Sequence, residues 1–317
     1  MGKNQTNSII MEVKVLFRTS RRIHPKFGNV AFGKYTIEPL PTEGSLSTPA
    51  TNKYLLRFDD EMRAEERRSN PAKEARLILS YLSLALGTKL DFDSLMINSV
   101  NSPLGTIDAN RSGELLEELP PLDILHNKLQ GADIDNARQF LRACEVYRTA
   151  VNALGQNNTL SYFLLTVAIE CMANVLGQGN GKCDKFIDFI LRYLPDRSEL
   201  SEEDWRELLK EVYYRHRSGF THGGKELPEA SDLADRLNRI YVRNFIDGKE
   251  IRTPGLKWFT LVVRQALLGY LMTITEDPRR VNDVIKDLSL EHGAVQLKAK
   301  RDIQAFSAVT DQDFELD

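Results

Sequence analysis

The sequence predicts a mainly α-helical protein in which an N-terminal α+β domain precedes a bundle of helices. Up to about residue 125, short strand-like runs alternate with loops rich in Gly, Pro, Ser and Thr. From residue 134 onward, hydrophobic residues recur with the 3.6-residue period of an α-helix. The intervening segment ELPPLDIL contains a pair of prolines and suits a domain boundary. We therefore expect an α+β domain over residues 1–125, a helical bundle over 134–290 and a tail over 291–317.

The composition is that of a folded protein without a strong overall charge. The 317 residues exceed one typical domain of about 100 to 200 residues, and 42% are hydrophobic and 27% charged. A formal net charge of −3 gives no global attraction to nucleic acid, so any such binding must be local. Region 1–34 has seven Lys or Arg residues against Glu12 alone, which indicates either a local binding patch or a solvated strand face.

Targeting and redox features favour a cytoplasmic protein. The N-terminus MGKNQTNSIIMEVKV lacks an apolar run of signal-peptide length, and no segment is a convincing membrane span. Three cysteines without metal-ligand spacing, Cys144, Cys171 and Cys183, suit free thiols in a reducing compartment. We expect no metal and no cofactor, because no P-loop, GxGxxG or HExxH motif occurs. Three histidines are isolated and expected to be structural or exposed: His24, His126 and His292.

In the first half, the runs MEVKVLF, NVAFGKYTI and KYLLRFD are expected to form strands of one small sheet. A helix begins at Pro71 and continues through AKEARLILSYLSLAL, where the apolar residues keep helical spacing. Gly87 stands where a C-cap should lie. One helix with several strands predicts the α+β class for this domain.

In the second half, the pattern predicts five core helices plus an extra one. Asp135 is expected to cap a helix that Gly155 ends, and the next segment, TLSYFLLTVAIECMANVLG, is apolar nearly all round and belongs at the centre of a bundle. The segments KCDKFIDFILRYL, SEEDWRELLKEVYYRH and LPEASDLADRLNRIYVRNFI are each expected to be short amphipathic helices. After a loop at DGKEIRTPG, another helix should bury Trp258, Leu261, Val262, Leu268, Leu271 and Met272, and Pro278 should open a final one.

The segment YRHRSGFTHGG, residues 214–224, concentrates cationic side chains at the end of a predicted helix. One interpretation is purely structural, because the helix dipole favours cations at a C-terminus. The other is a functional site. Arg217 and His222 would point about 140° apart on an ideal helix, so they converge only if the turn is distorted. Gly219 and the pair Gly223-Gly224 permit such a distortion.

The same segment resembles the signature of the HEPN superfamily, Arg-x4–6-His, and its Tyr-x-x-Arg-Ser-x-x-x-His-Gly form resembles the Apea-like branch. Tyr214, Arg217, Ser218, His222 and Gly223 are the matching positions. The helix LSYFLLTVAIECMANVLG, which contains Glu170, is similar to an early helix of that family. The resemblance implies a helical bundle that pairs with a second copy around an RNA-binding cleft, and many members are metal-independent endoribonucleases.

Each residue of the motif then has an expected role. His222, with an ordinary pKa near ~6.5, suits proton transfer, and Arg217 offers a fork of donors to phosphate oxygens. Ser218 either binds a phosphate oxygen or caps the local turn. Glu170 is expected to pair with Arg217 or Arg215, or else to lie in water at the edge of the bundle. The supporting residue Tyr214 completes the site, and three residues are expected to contact RNA: Arg215, His216 and Lys225.

The leading hypothesis is a cytoplasmic, homodimeric endoribonuclease that cleaves RNA in phage defence or toxin-like growth arrest, with a regulatory protein as a further partner. The rival is a non-catalytic HEPN module that dimerises or binds RNA or protein, which the acidic overall charge favours. A small-molecule enzyme built on the N-terminal domain is the third interpretation, although no convergent polar cluster appears there.

Overall fold

The fold is taken from a computed structural model of the chain. The structure describes residues 8–40, 53–63, 70–97, 115–116, 118–173, 181–214, 229–246, 249–274 and 284–289.

A five-stranded antiparallel sheet forms most of the first half. Its strand order is β3-β4-β5-β1-β6, and a separate short parallel pair joins β2 to β7. The three strand-like runs predicted from the sequence lie in β1, in the β3–β4 hairpin and in β5. The strands are β1 (Ser8–Thr19), β2 (Arg22–Ile23), β3 (Val30–Phe32), β4 (Tyr35–Pro39), β5 (Lys53–Arg63), β6 (Leu90–Ile97) and β7 (Leu115–Leu116).

The two faces of the sheet differ because side chains alternate along a strand. On β1, the alternate residues Val13, Val15 and Phe17 are completely buried in the core. On the other face, Lys14 pairs with Glu12 at 2.7 Å. Ion pairs also engage other cations of the basic N-terminal region, joining Arg18 to Asp93 at 2.9 Å and Lys34 to Glu74 at 2.6 Å.

Helix α1 (Pro71–Leu86) lies between the sheet and the helical half of the chain. It contacts β6, α3 (Ile134–Ala153) and α8 (Leu256–Thr273), and it is buried on nearly all sides. The predicted ends are confirmed: proline begins the helix, and Gly87 ends it with a φ of 61°, a left-handed conformation that glycine adopts without strain.

Eight further α-helices follow α1 within the described residues. Helices α3 and α6 each bury one apolar face, and α4 packs among α3, α5 and α8 as expected of a central helix. Helix α5 ends against Gly269 of α8 so closely that any Cβ there would collide with the Tyr193 carbonyl. These helices are α2 (Leu122–Gln130), α3, α4 (Asn158–Ala173), α5 (Lys182–Tyr193), α6 (Glu202–Glu211), α7 (Glu229–Arg236) and α8. A last helix, α9, covers residues 284–289.

The prediction of helix through LADRLNRIYVRNFI and of a loop at DGKEIRTPG is wrong. Helix α7 ends at Arg236, and Asn238 adopts a positive φ of 51° that breaks the helical path. Strands β8 (Tyr241–Ile246) and β9 (Lys249–Pro254) then form an antiparallel hairpin. Aromatic and β-branched residues in IYVRNFI favour a strand.

Two finer predictions about helices also need correction. The N-cap of α3 is Asp133, whose carboxylate accepts the Asp135 backbone N–H at 3.0 Å, so Asp135 lies in the first turn. Helix α8 is rotated relative to the expectation. Leu261 and Met272 are each 46% exposed, whereas Phe259, Val263 and Leu267 lie on its buried face.

Arg264 connects the two halves of the chain. Its guanidinium donates to the carbonyls of Leu84 at 2.9 Å and Ala85 at 2.6 Å, which are the last carbonyls of α1. A Cβ at Gly87 would lie only 2.7 Å from Arg264 Nε, so the glycine also makes room for this side chain. Burial lowers the pKa of Arg264.

The hydrophobic core is continuous across the two halves. One cluster includes Val15 of the sheet, Leu82 of α1, Leu125 of α2 and Leu165 of α4. The domain boundary near 118–125 stays a prediction, and α2 begins inside that segment. With a five-stranded sheet and extensive helix, the architecture is mixed α+β.

Other expectations concern thiols, histidines and membranes. The three cysteines are free, as predicted. His126 is buried and packs against Phe32 and Tyr35, so its role is structural. None of the described helices combines the length and apolar character that crossing a bilayer requires. The predicted tail, residues 291–317, lies outside the described residues.

Candidate functional site

Helix α6 delivers the chain to the candidate motif. Its N-cap is Ser201, whose hydroxyl accepts the Asp204 backbone N–H at 3.1 Å, and acidic residues in its first turn suit the helix dipole. Its buried face, anchored by Trp205 and Leu208, holds the helix against the core. Beyond Glu211, residues 212–214 widen into a π-type turn, a feature frequent at functional sites.

The described residues are interrupted after Tyr214 and resume at Glu229. Six predicted site residues therefore lie outside the described residues, namely Arg215, His216, Arg217, Ser218, His222 and Lys225. Glu170 and Tyr214 are the two predicted site residues that the structure places. Within the described ranges, no group of three His, Cys, Asp or Glu side chains could hold a metal ion.

Glu170 reaches the motif helix through a tyrosine. From α4, its carboxylate accepts the Tyr213 hydroxyl at 2.8 Å. Tyr213 is only 6% exposed, and its ring packs against Phe186 of α5 at 5.4 Å. Glu170 itself is half-buried. The pair ties α4 to the π-type turn immediately before the motif.

Tyr213 is a site residue that sequence reasoning missed, because it was assigned only to the buried face of α6. One signal was available: a buried tyrosine needs a hydrogen-bond partner, and Glu170 is the only charge in its apolar helix. The predicted partnership of Glu170 with Arg217 or Arg215 involves residues outside the described ranges and stays a prediction.

Tyr214 is oriented differently from its neighbour. Its side chain is 54% exposed, and its ring meets Tyr213 edge to face at 5.8 Å. Its hydroxyl interacts with the thiol of Cys183 at the start of α5. Burial raises the pKa of Cys183, whereas the Tyr214 hydroxyl acts in the opposite direction by stabilising the thiolate. Tyr214 therefore contacts Tyr213 and Cys183, while more than half of the residue stays exposed to solvent.

An open cleft of about 720 Å³ lies beside Tyr214, between α6 and the β8–β9 hairpin. One wall comes from α6 and the other from the hairpin that sequence analysis did not foresee. Besides Tyr214, six charged residues line it: Glu207, Lys210, Glu211, Arg243, Glu250 and Arg252. The lining charges balance, three positive against three negative.

The two arginines of the cleft are held in different ways. Arg252 pairs with Asp204 at 2.6 Å and with Glu207 at 3.6 Å, and its side chain is 23% exposed, so it fastens the hairpin to α6. Arg243 pairs with Glu250 at 3.0 Å within the hairpin, and both side chains are well exposed. Exposed pairs of this kind contribute about 0 to 1 kcal/mol and open readily.

No protein-family model, no curated protein and no solved structure matches this chain.

Proposed function

We propose that this protein is a metal-independent endoribonuclease of the HEPN type, in which Arg217 and His222 form the catalytic pair. The observation that supports the proposal is the position of Tyr214, the first residue of the motif Tyr-x-x-Arg-Ser-x-x-x-His-Gly. The motif begins there, where a π-type turn ends helix α6 beside an open cleft. A glutamate from the preceding helix α4 is bonded to the residue just before it.

The proposed reaction is attack by a ribose 2′-hydroxyl on the adjacent phosphorus. His222 takes part in the proton transfers, since the attacking oxygen loses a proton and the departing 5′-oxygen gains one. Arg217 stabilises the negative charge that builds on the phosphoryl oxygens. The P–O5′ bond breaks, and the products are a 2′,3′-cyclic phosphate and a 5′-hydroxyl. The nucleophile comes from the substrate, so the balance needs no further reagent.

Glu170 and Tyr213 serve this site as positioning residues. Their 2.8 Å hydrogen bond joins a half-buried carboxylate to a tyrosine wedged against Phe186. The bond holds the last described turn before the motif, and in this proposal that support is passed on to the residues that follow it in sequence. Catalytic groups must be held to within a fraction of an ångström, which makes such support necessary.

The proposed active form is a homodimer, in which two motifs face one RNA strand. Apolar side chains for pairing are present close to the motif in sequence. Leu233 on α7 is 48% exposed, and Leu237, four residues later, is 49% exposed. Two leucines with this spacing lie on one side of a helical path and suit a contact with a second copy. Defence against phage or toxin-like growth arrest is the proposed purpose.

The test is cleavage of a mixed RNA substrate in excess EDTA, with the termini mapped. We expect the intact protein to produce 2′,3′-cyclic phosphates, and we expect His222→Ala to lower the rate by about a hundredfold or more. Arg217→Ala should lower it comparably. The matched control is His24→Ala, which removes a histidine whose ring accepts the Lys26 N–H far along the chain from the motif. Full activity of His222→Ala would contradict the proposal.

A non-catalytic module is the second candidate, and the charge balance of the cleft favours it. Both arginines of the cleft already have carboxylate partners, which weakens attraction to phosphate at this wall. In that case the protein forms a stable dimer by sedimentation and cuts no RNA, with or without EDTA.

A further inference from the structure

We propose that the cleft between α6 and the β8–β9 hairpin binds one unpaired base of an RNA strand, stacked on Tyr214. This inference rests on the proposed function, because the strand is the substrate whose cleavage is assigned to the neighbouring motif. It adds a substrate class: single-stranded RNA with an amino-bearing base at this position. Duplex RNA is excluded, since its bases are stacked on one another and not available to a side chain.

Tyr214 has the properties of a surface on which a base can stack. Exposed aromatic side chains are common binding surfaces for bases, because every base has a flat π-face. An effective platform must also be fixed. Tyr214 meets Tyr213 in an edge-to-face arrangement with ring centroids 5.8 Å apart, and its hydroxyl contacts the Cys183 thiol, while the residue stays 54% exposed.

Two cations of the cleft, Lys210 and Arg243, can bind the phosphates next to the stacked base. Lys210 precedes Tyr214 by four residues, so the two side chains lie on the same side of the helix and both line the cleft. Among the described residues, Lys210 has no ion-pair partner. Arg243 is 59% exposed and can exchange Glu250 for a phosphate at small cost. Arg252 stays with Asp204 as a structural residue, because that pair is close and half-buried.

Two carboxylates of the cleft can recognise the edge of the base. Glu207 and Glu211 line the same cleft from α6. Carboxylates accept hydrogen bonds from exocyclic amino groups of bases, and they repel phosphates. Their presence therefore directs the sugar-phosphate backbone toward Lys210 and Arg243, and the base edge toward the glutamates. We expect adenine, cytosine and guanine to bind more tightly than uracil, which has no amino group.

The residues that line the cleft differ in type from those of an ordinary small-molecule pocket. Such pockets are mostly apolar, with a few polar groups that fix orientation. This cleft has one aromatic residue and six charged ones. A single stacking surface among charges of both signs is the composition expected of a subsite for a nucleotide within a longer strand.

The experiment measures equilibrium binding of fluorescein-labelled RNA octamers, A8, C8 and U8, by anisotropy. All variants carry His222→Ala, so that cleavage does not interfere. Tyr214→Ala should weaken A8 and C8 binding by about tenfold or more, because one stacked base is lost. Tyr214→Phe should bind within about twofold of its parent, since it keeps the ring. Phe92→Ala, which removes another exposed aromatic in β6, is the matched control and should have no effect.

Charge variants test the rest of the subsite. Lys210→Ala and Arg243→Ala should weaken all three octamers alike, and each should reduce the salt dependence of log K by about 0.7. The control is Lys257→Ala, an exposed lysine at the start of α8. The double variant Glu207→Gln, Glu211→Gln should reduce the preference for C8 over U8. Equal affinity of the parent for C8 and U8 would overturn the base preference.

The outcomes separate this subsite from the nuclease proposal. Binding that depends on Tyr214 without any RNA cleavage by the intact protein supports the subsite and contradicts the nuclease. Cleavage that requires His222, together with unchanged binding in Tyr214→Ala, supports the nuclease and overturns the subsite. If the protein neither binds nor cleaves RNA, both proposals are wrong.

Discussion

Two helices of this protein, α1 and α6, end in very different surroundings. Helix α1 ends inside the molecule at Gly87, and the carbonyls of its last turn accept hydrogen bonds from Arg264, which arrives from α8. Helix α6 widens into a π-type turn that ends at Tyr214, which is more than half exposed beside an open cleft. Both ends attract positive charge through the helix dipole.

The difference teaches how the role of a cation depends on its burial. Arg264 is half-buried and donates hydrogen bonds to two carbonyls of α1, so it acts as a clamp. Helix α1 has no basic residue in its own last turn. The sequence around the end of α6 supplies Lys210 before Tyr214 and three more cationic or titratable residues directly after it. In the proposal made above, the charged end of α6 serves a ligand, whereas the corresponding cation at the end of α1 serves the fold.

Loss of the clamp at α1 should have the largest effect. Arg264→Met keeps much of the side-chain volume but leaves the Ala85 carbonyl without its donor. We expect the free energy of unfolding to fall by about 2 kcal/mol, the cost of an unsatisfied buried polar group. Urea denaturation followed by circular dichroism measures it. The exposed Arg236 on α7 provides the control, since Arg236→Met should change stability by less than about 0.5 kcal/mol. Equal stability of the two variants would show that Arg264 is not a clamp.

The support behind the α6 end should have an intermediate effect. Tyr213→Phe removes the hydroxyl that Glu170 accepts, while the ring keeps its packing against Phe186. Loss of one hydrogen bond to a charged group corresponds to about 1.5 kcal/mol in the free energy of unfolding. If the pair positions the motif, RNA cleavage should also fall in this variant at temperatures where it remains folded. A variant that loses stability but retains full cleavage would reduce the pair to a structural contact.

The smallest effect concerns the pH dependence of Cys183. Burial raises the pKa of this thiol, so less thiolate exists at a given pH. Alkylation should therefore be slower than for a solvent-exposed thiol of ordinary pKa. Tyr214→Phe removes a contact that lowers the pKa. The pKa should therefore rise further, and the rate at pH 8 should fall by about threefold. Mass spectrometry after timed iodoacetamide treatment resolves the sites. Cys144, whose pKa burial raises well above the ordinary value, is the internal control that should stay unmodified. A faster reaction in the variant would mean that Tyr214 merely shields the thiol.

The sequence predicted those elements whose signals are local. Proline at the start of α1, Gly87 at its end and the strand at MEVKVLF depend on a few neighbouring residues, and all three are confirmed. The β8–β9 hairpin was missed because Leu237, Tyr241 and Phe245 recur every four residues, as apolar residues do on one face of a helix, while the break at Asn238 is a single residue with positive φ.

Predictions that depend on how helices meet were less successful. The orientation of α8 follows from the need to bring Arg264 to the end of α1, which no pattern within α8 reveals. Likewise, the bond between Tyr213 and Glu170 depends on the relative height of α4 and α6. The motif itself needed no such information, because it consists of neighbouring residues, and its catalytic role stays a prediction for the RNA experiments.

The bridge made by Arg264 has a consequence for how the protein opens. Donor and acceptor are separated by 179 residues along the chain, so the bond to Ala85 forms only after Arg264 and all the residues between them have been synthesised. Separation of α8 from α1 would break it and would expose the core that the sheet and the later helices share. The sheet and the later helices are thereby coupled in one cooperative unit. A substitution that destabilises one of them also destabilises the other.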